Sequence, residues 1–251
     1  MSNILLAFVL TFLAGISTLI GTIFIFYKGN INKLVICTIA FASGVMFCVS
    51  IIDLMPESFI LIGKANSKTI AFLIMLVYII LGFLISSFID KVVPEKANVN
   101  DKKLYKVGVF SMLAIIIHNV PEGIATFLSS ASNLSLGLSL TFALALHNIP
   151  EGISIAVPIY SSTGSKKKAI FYTAISTLAE PFGALIAYLF FAPIITDNIM
   201  GCTLAIILGI MAHISMCKLL PASLSYKKGN LSLLYFIFGF VFMIISLLFI
   251  K

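Results

Sequence analysis

Eight long runs of apolar residues, separated by short stretches of charged and turn residues, divide this chain of 251 residues. Each run can cross the roughly 30 Å hydrocarbon layer of a bilayer as a helix that rises 1.5 Å per residue. None alternates polar and apolar residues as a strand of a membrane β-barrel does. The predicted spans are 4–27, 34–60, 70–90, 107–129, 134–159, 169–191, 199–221 and 231–250. The pattern predicts an all-α integral membrane protein with eight transmembrane helices in a single domain, residues 1–251.

Composition supports a membrane protein and excludes other classes. Hydrophobic residues make up 61% of the chain and charged residues 10%, whereas soluble domains carry about 25% charged residues. An ordinary soluble enzyme, a nucleic-acid-binding domain and a disordered chain are therefore excluded. The net charge of +7 comes from 16 basic residues that are all lysine, and arginine is the residue that recognises phosphate and bases best. We expect a lipid bilayer as the surroundings and no nucleic acid as a partner.

The lysines also orient the predicted helices. Twelve of the 16 follow the first, third, fifth and seventh spans, whereas Lys64, Lys68 and Lys251 lie on the other side and Lys218 lies within the seventh span. Short cytoplasmic loops of membrane proteins are rich in lysine and arginine. We therefore expect a multi-pass protein of the cell membrane, the inner membrane if the source is a bacterium, with both termini outside the cytoplasm.

Two internal repeats are visible in the sequence. Residues 118–125 read HNVPEGIA and residues 147–154 read HNIPEGIS. Residues 44–58, GVMFCVSIIDLMPES, share a Gly, a Met, two Ser, a Leu and a Pro with residues 209–223, GIMAHISMCKLLPAS. The second pair lies in spans of opposite direction, as in transporters with inverted repeats. We predict a repeat that relates helices 1–3 to helices 6–8 around helices 4 and 5. Chance similarity between apolar segments is the alternative for the second pair.

Ionisable side chains lie within the spans, where they are costly and mark functional sites. Apart from the last residue of the third span, the set comprises Asp53, Glu57, His118, Glu122, His147, Glu151, Glu180 and His213. Lys218 is the one cationic side chain within the same spans. A bound metal cation would balance this excess of carboxylates.

The spacing within H-N-x-P-E-G fits a metal site. Histidine and glutamate four residues apart share one face of a helix, and the asparagine lies beside that face. Imidazole and carboxylate ligands suit Zn²⁺ and its neighbours Fe²⁺, Mn²⁺ and Co²⁺. Pro121 and Pro150 leave the carbonyls of Ile117 and Leu146 without a helical donor, so we expect a kink beside each motif. A purely structural network of buried polar residues is the alternative.

These motifs resemble those of the ZIP (Zrt/Irt-like) family of divalent-metal transporters, and most of all its bacterial ZupT type. The resemblance covers essentially the whole chain. It rests on the HNVPEG and HNIPEG pair, DLMPE at 53–57, NIPEGISIAVPIY at 148–160 and LAEPFGALIAYL at 178–189.

The resemblance implies a binuclear metal centre between helices 4 and 5. Its first site would comprise His118, Glu122, His147 and Glu151. Its second site would comprise Asn119, Asn148 and Glu180, with the same two glutamates bridging the metals. Met46 aligns with a thioether ligand of some relatives, and core packing is its alternative role. The family also implies metal movement into the cytoplasm by an elevator-like sliding of one group of helices.

Asp53 and Glu57 follow Met46 on the predicted outward-running helix. A rise of 1.5 Å per residue places them roughly 10–17 Å outward of it, at the external mouth. Carboxylates there would concentrate cations. A hydrated helix end is the alternative interpretation.

Helix 7 departs from the ZupT pattern, which has acidic residues where this chain has Cys217 and Lys218. Lys218 could extend toward the membrane surface or shorten the residence of cations at the exit. His213 could form a soft metal site with Cys217 or be a core histidine with a hydrogen-bond partner. The loop 91–106 contains no histidine, which argues against metal sensing by that loop.

The sequence thus predicts uptake of a divalent cation, Zn²⁺ first, with Fe²⁺, Mn²⁺, Co²⁺ and Cd²⁺ as other cargo and no catalytic cofactor. Protonation of the ligands would assist release. A passive channel with the same site, a structural metal and a membrane-embedded metalloenzyme are the alternatives, although the chain lacks H-E-x-x-H. A homodimer is an open hypothesis for the assembly.

Overall fold

Eight helices long and apolar enough to cross a membrane make up almost all of the described chain. A computed structural model describes residues 3–93, 99–191 and 196–250, and no β-strand occurs within those ranges. The helices are α1 (Asn3–Phe26), α2 (Ile31–Gly63), α3 (Lys68–Val92), α4 (Lys102–Ser132), α5 (Leu134–Thr163), α6 (Lys166–Phe190), α7 (Asp197–Leu224) and α8 (Gly229–Ile250). The ends of these helices lie within five residues of the limits predicted for the spans. Lys96 and Lys251, two of the counted lysines, lie outside the described residues.

Most differences at the helix starts come from polar caps. The side chain of Asp101 accepts a hydrogen bond from the backbone N–H of Leu104 at 2.9 Å, and α4 begins at Lys102 rather than at the predicted 107. Asn30 and Ser165 cap α2 and α6 in the same way. A cap satisfies one of the free N–H groups of the first turn. The helices therefore begin in the polar segment before each apolar run.

Helices α4 and α5 form an antiparallel hairpin of constant register. A Cβ atom on Gly108 would lie 2.8 Å from the side chain of Ile159, and one on Gly137 would lie 2.5 Å from Ser130. The same register places residue 119 opposite residue 148, half-way between these contacts. Both helices continue through their prolines. The two H-N-x-P-E-G motifs therefore face each other across the middle of the hairpin.

The weaker of the two sequence repeats has a clear structural counterpart. Helix α2 contains a π-helical turn at Val49–Leu54 and α7 contains one at Ile214–Leu219. Both turns lie at the same repeat position and precede the repeated Pro56 and Pro221. A proline removes a backbone N–H, and a π-helical turn is one way in which a helix adjusts locally. The predicted inverted repeat is thereby confirmed for this pair.

Close backbone approaches extend the repeat to α3 and α8. A Cβ on Gly44 of α2 would lie 2.0 Å from the carbonyl oxygen of Phe236 on α8. A Cβ on Gly209 of α7, the repeat position of Gly44, would lie 2.1 Å from the carbonyl oxygen of Ile79 on α3. Helix α2 therefore packs on α8 as α7 packs on α3.

The same relation holds for the helices that surround the motifs. Gly123 of α4 approaches the carbonyl oxygen of Glu180 on α6, and Gly152 of α5 approaches that of Thr18 on α1. Gly123 and Gly152 are equivalent in the H-N-x-P-E-G repeat, so Thr18 on α1 is the counterpart of Glu180 on α6. The pseudo-two-fold axis exchanges α4 with α5. Because residues 119 and 148 are equivalent and face each other, the axis passes between them.

Glycine-mediated approaches between helices divide the described residues into two bundles. One comprises α1, α4, α5 and α6, and the other comprises α2, α3, α7 and α8. Helix α2 packs against α5 across the boundary between the bundles. The motifs therefore lie inside the first bundle, on the repeat axis.

Candidate metal centre

The paired motifs bring four metal-ligating side chains into one cluster. Helix α4 supplies His118 and Glu122, and α5 supplies His147 and Glu151. One ligand atom each of His118, His147 and Glu151 lies within 4.8 Å of the other two. Ligand atoms bound to one Zn²⁺ ion at 2.0–2.2 Å can be at most about 4.4 Å apart. The cluster therefore has close to the dimensions of a metal site.

Each imidazole points a ring nitrogen at the carboxylates. Nε2 of His118 lies 3.0 Å from Oε1 of Glu122 and 3.2 Å from Oε1 of Glu151, without hydrogen-bond geometry in either contact. Nε2 of His147 lies 3.1 Å from the same Oε1 of Glu122 and forms a hydrogen bond with it. Glu122 thus contacts both histidines and lies at the centre of the group.

The cluster is buried and poorly hydrogen-bonded. His118 is 1% exposed and Glu151 is fully buried. Within the described residues, both carboxylate oxygens of Glu151 and one of Glu122 lack a hydrogen-bond partner. Buried polar groups are almost always satisfied, and an uncompensated buried carboxylate is strongly unfavourable. A cation bound between the carboxylates would compensate their charge.

The second predicted ligand group adjoins the first. The amide nitrogen of Asn148 donates to the carbonyl oxygen of Ala14 on α1 at 2.9 Å, and it also donates to Oε1 of Glu180 on α6. Oδ1 of Asn148, Oε2 of Glu180 and both amide atoms of Asn119 are buried without a partner in the described ranges. The oxygens among these atoms would offer ligands to a cation.

The three remaining predicted residues lie on α2. Met46 is buried in the main hydrophobic core. Asp53 is half-buried in the π-helical turn of α2, and Glu57 is exposed one turn later. Their roles as a ligand and as a cation entrance stay predictions.

The structure shows the partners of two polar residues of α7. The imidazole of His213 is buried, and its Nδ1 lies 2.9 Å from the hydroxyl of Ser86 on α3, while Cys217 is exposed. This supports the core interpretation of His213. Lys218 forms an ion pair with Asp90 on α3, and Lys106 on α4 lies 4.0 Å from the other oxygen of Asp90. The sequence did not predict this ion cluster, although a carboxylate at the end of an apolar run was a signal for it.

The chemistry of the centre suits reversible cation binding. It contains two imidazoles, two amides and three carboxylates in a buried space, and the ligands repeat about an axis. Catalytic zinc sites usually hold the metal with three protein ligands and a water. A donor set of this size is better suited to holding and releasing ions.

Comparison with known proteins places the chain in a family. The model of a family described as ZIP zinc transporter matches residues 94–247. A zinc transporter ZupT of Streptococcus mutans is 39% identical over 96% of each chain. One of Clostridium perfringens is 39% identical over 99% of this chain and 97% of the relative, and one of Campylobacter jejuni is 38% identical over 98% and 96%. The chain therefore belongs to the ZIP family of zinc transporters.

Proposed function

We propose that this protein takes up Zn²⁺ across the cell membrane into the cytoplasm through a binuclear centre in its first helix bundle. Family membership makes the chain a multi-pass membrane transporter rather than an enzyme. Relatives that share nearly its whole length are described as zinc transporters. The proposal adds the path, the ligands and the direction.

The observation that carries the proposal is the buried cluster of His118, His147 and Glu151 on the repeat axis. With Glu122 it would form the first site, since imidazole and carboxylate are common zinc ligands. Asn119, Asn148 and Glu180 would form the second site with the two bridging glutamates. Oxygen ligands also suit Mn²⁺ and Fe²⁺, so we include these ions, Co²⁺ and Cd²⁺ as weaker cargo.

Direction follows from charge. Exposed lysines occur in the connections after α1, α3, α5 and α7 or on the helix ends beside them. We call this the lysine-rich end, and it would face the cytoplasm. Asp53 and Glu57 would then lie toward the outside and attract cations. Both chain termini would also lie outside.

A carrier movement agrees with the packing. The centre lies within one glycine-packed bundle, so sliding of this bundle along the other would carry the bound cation from one side to the other. Interfaces of packed helices commonly move as rigid bodies. Metal exchange with either side would then alternate, which a continuous channel does not require.

The decisive experiment is uptake of radioactive zinc into vesicles that contain the purified protein. We expect saturable uptake by the wild type and its loss in H147A/E151A. H213Q is the matched control, because His213 is a buried histidine outside the centre, and it should retain uptake. Equal uptake by the wild type and H147A/E151A would contradict the proposal.

Competition and mass measurements extend the test. Unlabelled Mn²⁺, Fe²⁺, Co²⁺ and Cd²⁺ should each reduce zinc uptake when present in excess. The mass of the detergent-solubilised protein would test the homodimer that we adopt as the working assembly. A monomeric mass would remove the dimer from the proposal without affecting the transport site.

A further inference from the structure

The inverted repeat assigns a partner to every helix of the metal centre, and Glu180 has its counterpart at Thr18. Glycine contacts establish the equivalence twice. Gly123 and Gly152 pack on the carbonyls of Glu180 and Thr18, and Gly183 packs on Val120 as Gly21 packs on Ile149. In each case equivalent residues of α4 and α5 meet equivalent residues of α6 and α1.

Glu180 contacts Asn148, so its counterpart should face Asn119. Asn148 donates to Oε1 of Glu180 from α5 to α6. The repeat axis gives Thr18 on α1 the same position relative to Asn119 on α4 that Glu180 has relative to Asn148. These two helices pack against each other. The position of Thr18 therefore belongs to the ligand group of the centre.

The hydroxyl of Thr18 behaves unlike the other hydroxyls of α1. Thr11, Ser17 and Thr22 each donate to a backbone carbonyl one turn earlier, as hydroxyls in membrane helices commonly do. Thr18 is fully buried, and its Oγ1 has no hydrogen-bond partner among the described residues. Asn119 is also fully buried, and the same holds for both of its amide atoms. Thr18 and Asn119 are thus both unsatisfied, whereas the equivalent residues across the axis, Glu180 and Asn148, are hydrogen-bonded to each other.

We propose that Thr18 is a further residue of the metal centre, which supplies a neutral hydroxyl on the Asn119 side where Glu180 supplies a carboxylate on the Asn148 side. The threonine side chain is two bonds shorter than that of glutamate, so in this proposal an ion or an ion-bound water joins its oxygen to Asn119. Hydroxyl and amide oxygens are hard neutral ligands for divalent cations. This proposal deepens the proposed transport function and rests on it.

With Thr18 in this role, the two sides of the centre differ in charge. The centre holds the carboxylates of Glu122, Glu151 and Glu180, and the repeat offers a place for a fourth. A hydroxyl in that place adds an oxygen ligand without a further negative charge. Affinity for cations rises with the number of charged ligands, so the neutral residue keeps binding weak enough for release.

The test is cobalt binding to the full-length protein in detergent, followed by the visible absorption of Co²⁺, together with zinc uptake in vesicles. We expect T18V to weaken cobalt binding three- to tenfold and to change the absorption spectrum. T18S, which keeps the hydroxyl, should bind within twofold of the wild type. T18D should bind more tightly and should lower the maximal uptake rate.

Thr11 provides the matched control, because it is a fully buried threonine on the same helix with its hydroxyl bonded to the backbone. T11V should leave cobalt affinity and spectrum unchanged. A double variant N119A/T18V should bind no more weakly than N119A, since both residues serve one ligand position.

The outcomes separate this proposal from the transport function. Failure of the wild type to take up zinc would refute the proposed function. Normal uptake by the wild type with identical cobalt binding by T18V and T11V would refute the role of Thr18 alone. Equal losses in T18V and T18S would also refute it, because the hydroxyl would then be irrelevant.

Discussion

At the scale of single residues, the centre is defined by polar groups that the protein itself leaves unsatisfied. Glu151 and Asn119 are buried, and within the described chain their polar side-chain atoms lack hydrogen-bond partners. By contrast, the buried His213 is bonded to Ser86. Buried polar groups without a partner cost about 1–3 kcal/mol each. Retaining several in one place is explained by a ligand that satisfies them together.

Proton competition follows from the same ligands. A metal binds neutral imidazole and ionised carboxylate, so protonation of His118 and His147 opposes binding. We expect zinc affinity to fall as the pH is lowered from 8 to 5, by roughly tenfold or more per pH unit once both histidines bind protons. Calorimetric titration at several pH values measures this slope. H147A should bind more weakly with a shallower slope, and an unchanged affinity across the range would contradict the assigned ligands.

The sequence predicted the side chains that cluster better than it predicted the contacts around them. Local spacing alone places His118 and Glu122 on one face of a helix. A second copy of the motif 29 residues later indicated that two such faces form one site. The ion pair of Lys218 with Asp90 joins residues 128 positions apart, and no local pattern encodes such a contact. Thr18 was missed for the same reason, since its equivalence to Glu180 depends on packing and not on similar residues.

At the scale of helices, an apolar run in the sequence predicts only the apolar part of each helix and not its polar ends. Polar caps such as Asp101 extend the helices beyond the runs. The π-helical turns of α2 and α7 could not be predicted from hydrophobicity, because they leave composition unchanged. Glycine explains how these helices meet, since Gly44 and Gly209 admit carbonyl oxygens at distances that a side chain would forbid.

The packing makes a symmetric prediction for glycine substitutions. A Cβ in G44A would lie 2.0 Å from the carbonyl oxygen of Phe236, and one in G209A would lie 2.1 Å from that of Ile79. Backbone atoms cannot move aside as flexible side chains do, so each variant should lose roughly 1–3 kcal/mol or more of stability. Thermal unfolding in detergent should show similar losses for both.

Gly63 supplies the control for these variants. No heavy atom outside its local backbone lies within 4 Å of its Cβ position in the described residues. The free energy of unfolding of G63A should therefore equal that of the wild type to within a few tenths of a kcal/mol or be slightly higher. A loss in G44A without one in G209A would contradict the equivalence of the two helix pairs.

At the scale of the whole molecule, the two bundles meet along α2 and α5. The same inverted repeat relates the helices within each bundle. The proposed ligands lie on one bundle, so in the proposed transport their position relative to the membrane depends on how the bundles sit against each other. The ion cluster at the lysine-rich end joins the two. Lys218 and Asp90 belong to the second bundle, whereas Lys106 and Phe110 belong to the first.

Lys106 should therefore influence the position of the bundles. Lys218 and Asp90 lie in the same bundle, whereas the contact of Lys106 with Asp90 at 4.0 Å joins the two bundles and would break in the proposed sliding movement. Lys106 and Asp90 are 25% and 15% exposed, so solvent screening limits their pair to about 0.5–1 kcal/mol. K106Q should shift the ratio of the two bundle positions about two- to fivefold away from the one described here.

Spin labels at Lys167 on the first bundle and Lys228 on the second, in a cysteine-free background, can measure this shift by pulsed electron resonance. Both positions are exposed at the lysine-rich end. K103Q is the control, because Lys103 is exposed on the same helix as Lys106, and it should leave the distance distribution unchanged. In a D90N background K106Q should add nothing, since the charge that attracts Lys106 is gone. Identical distributions for the wild type and K106Q would show that the ion cluster stabilises the fold without biasing the movement.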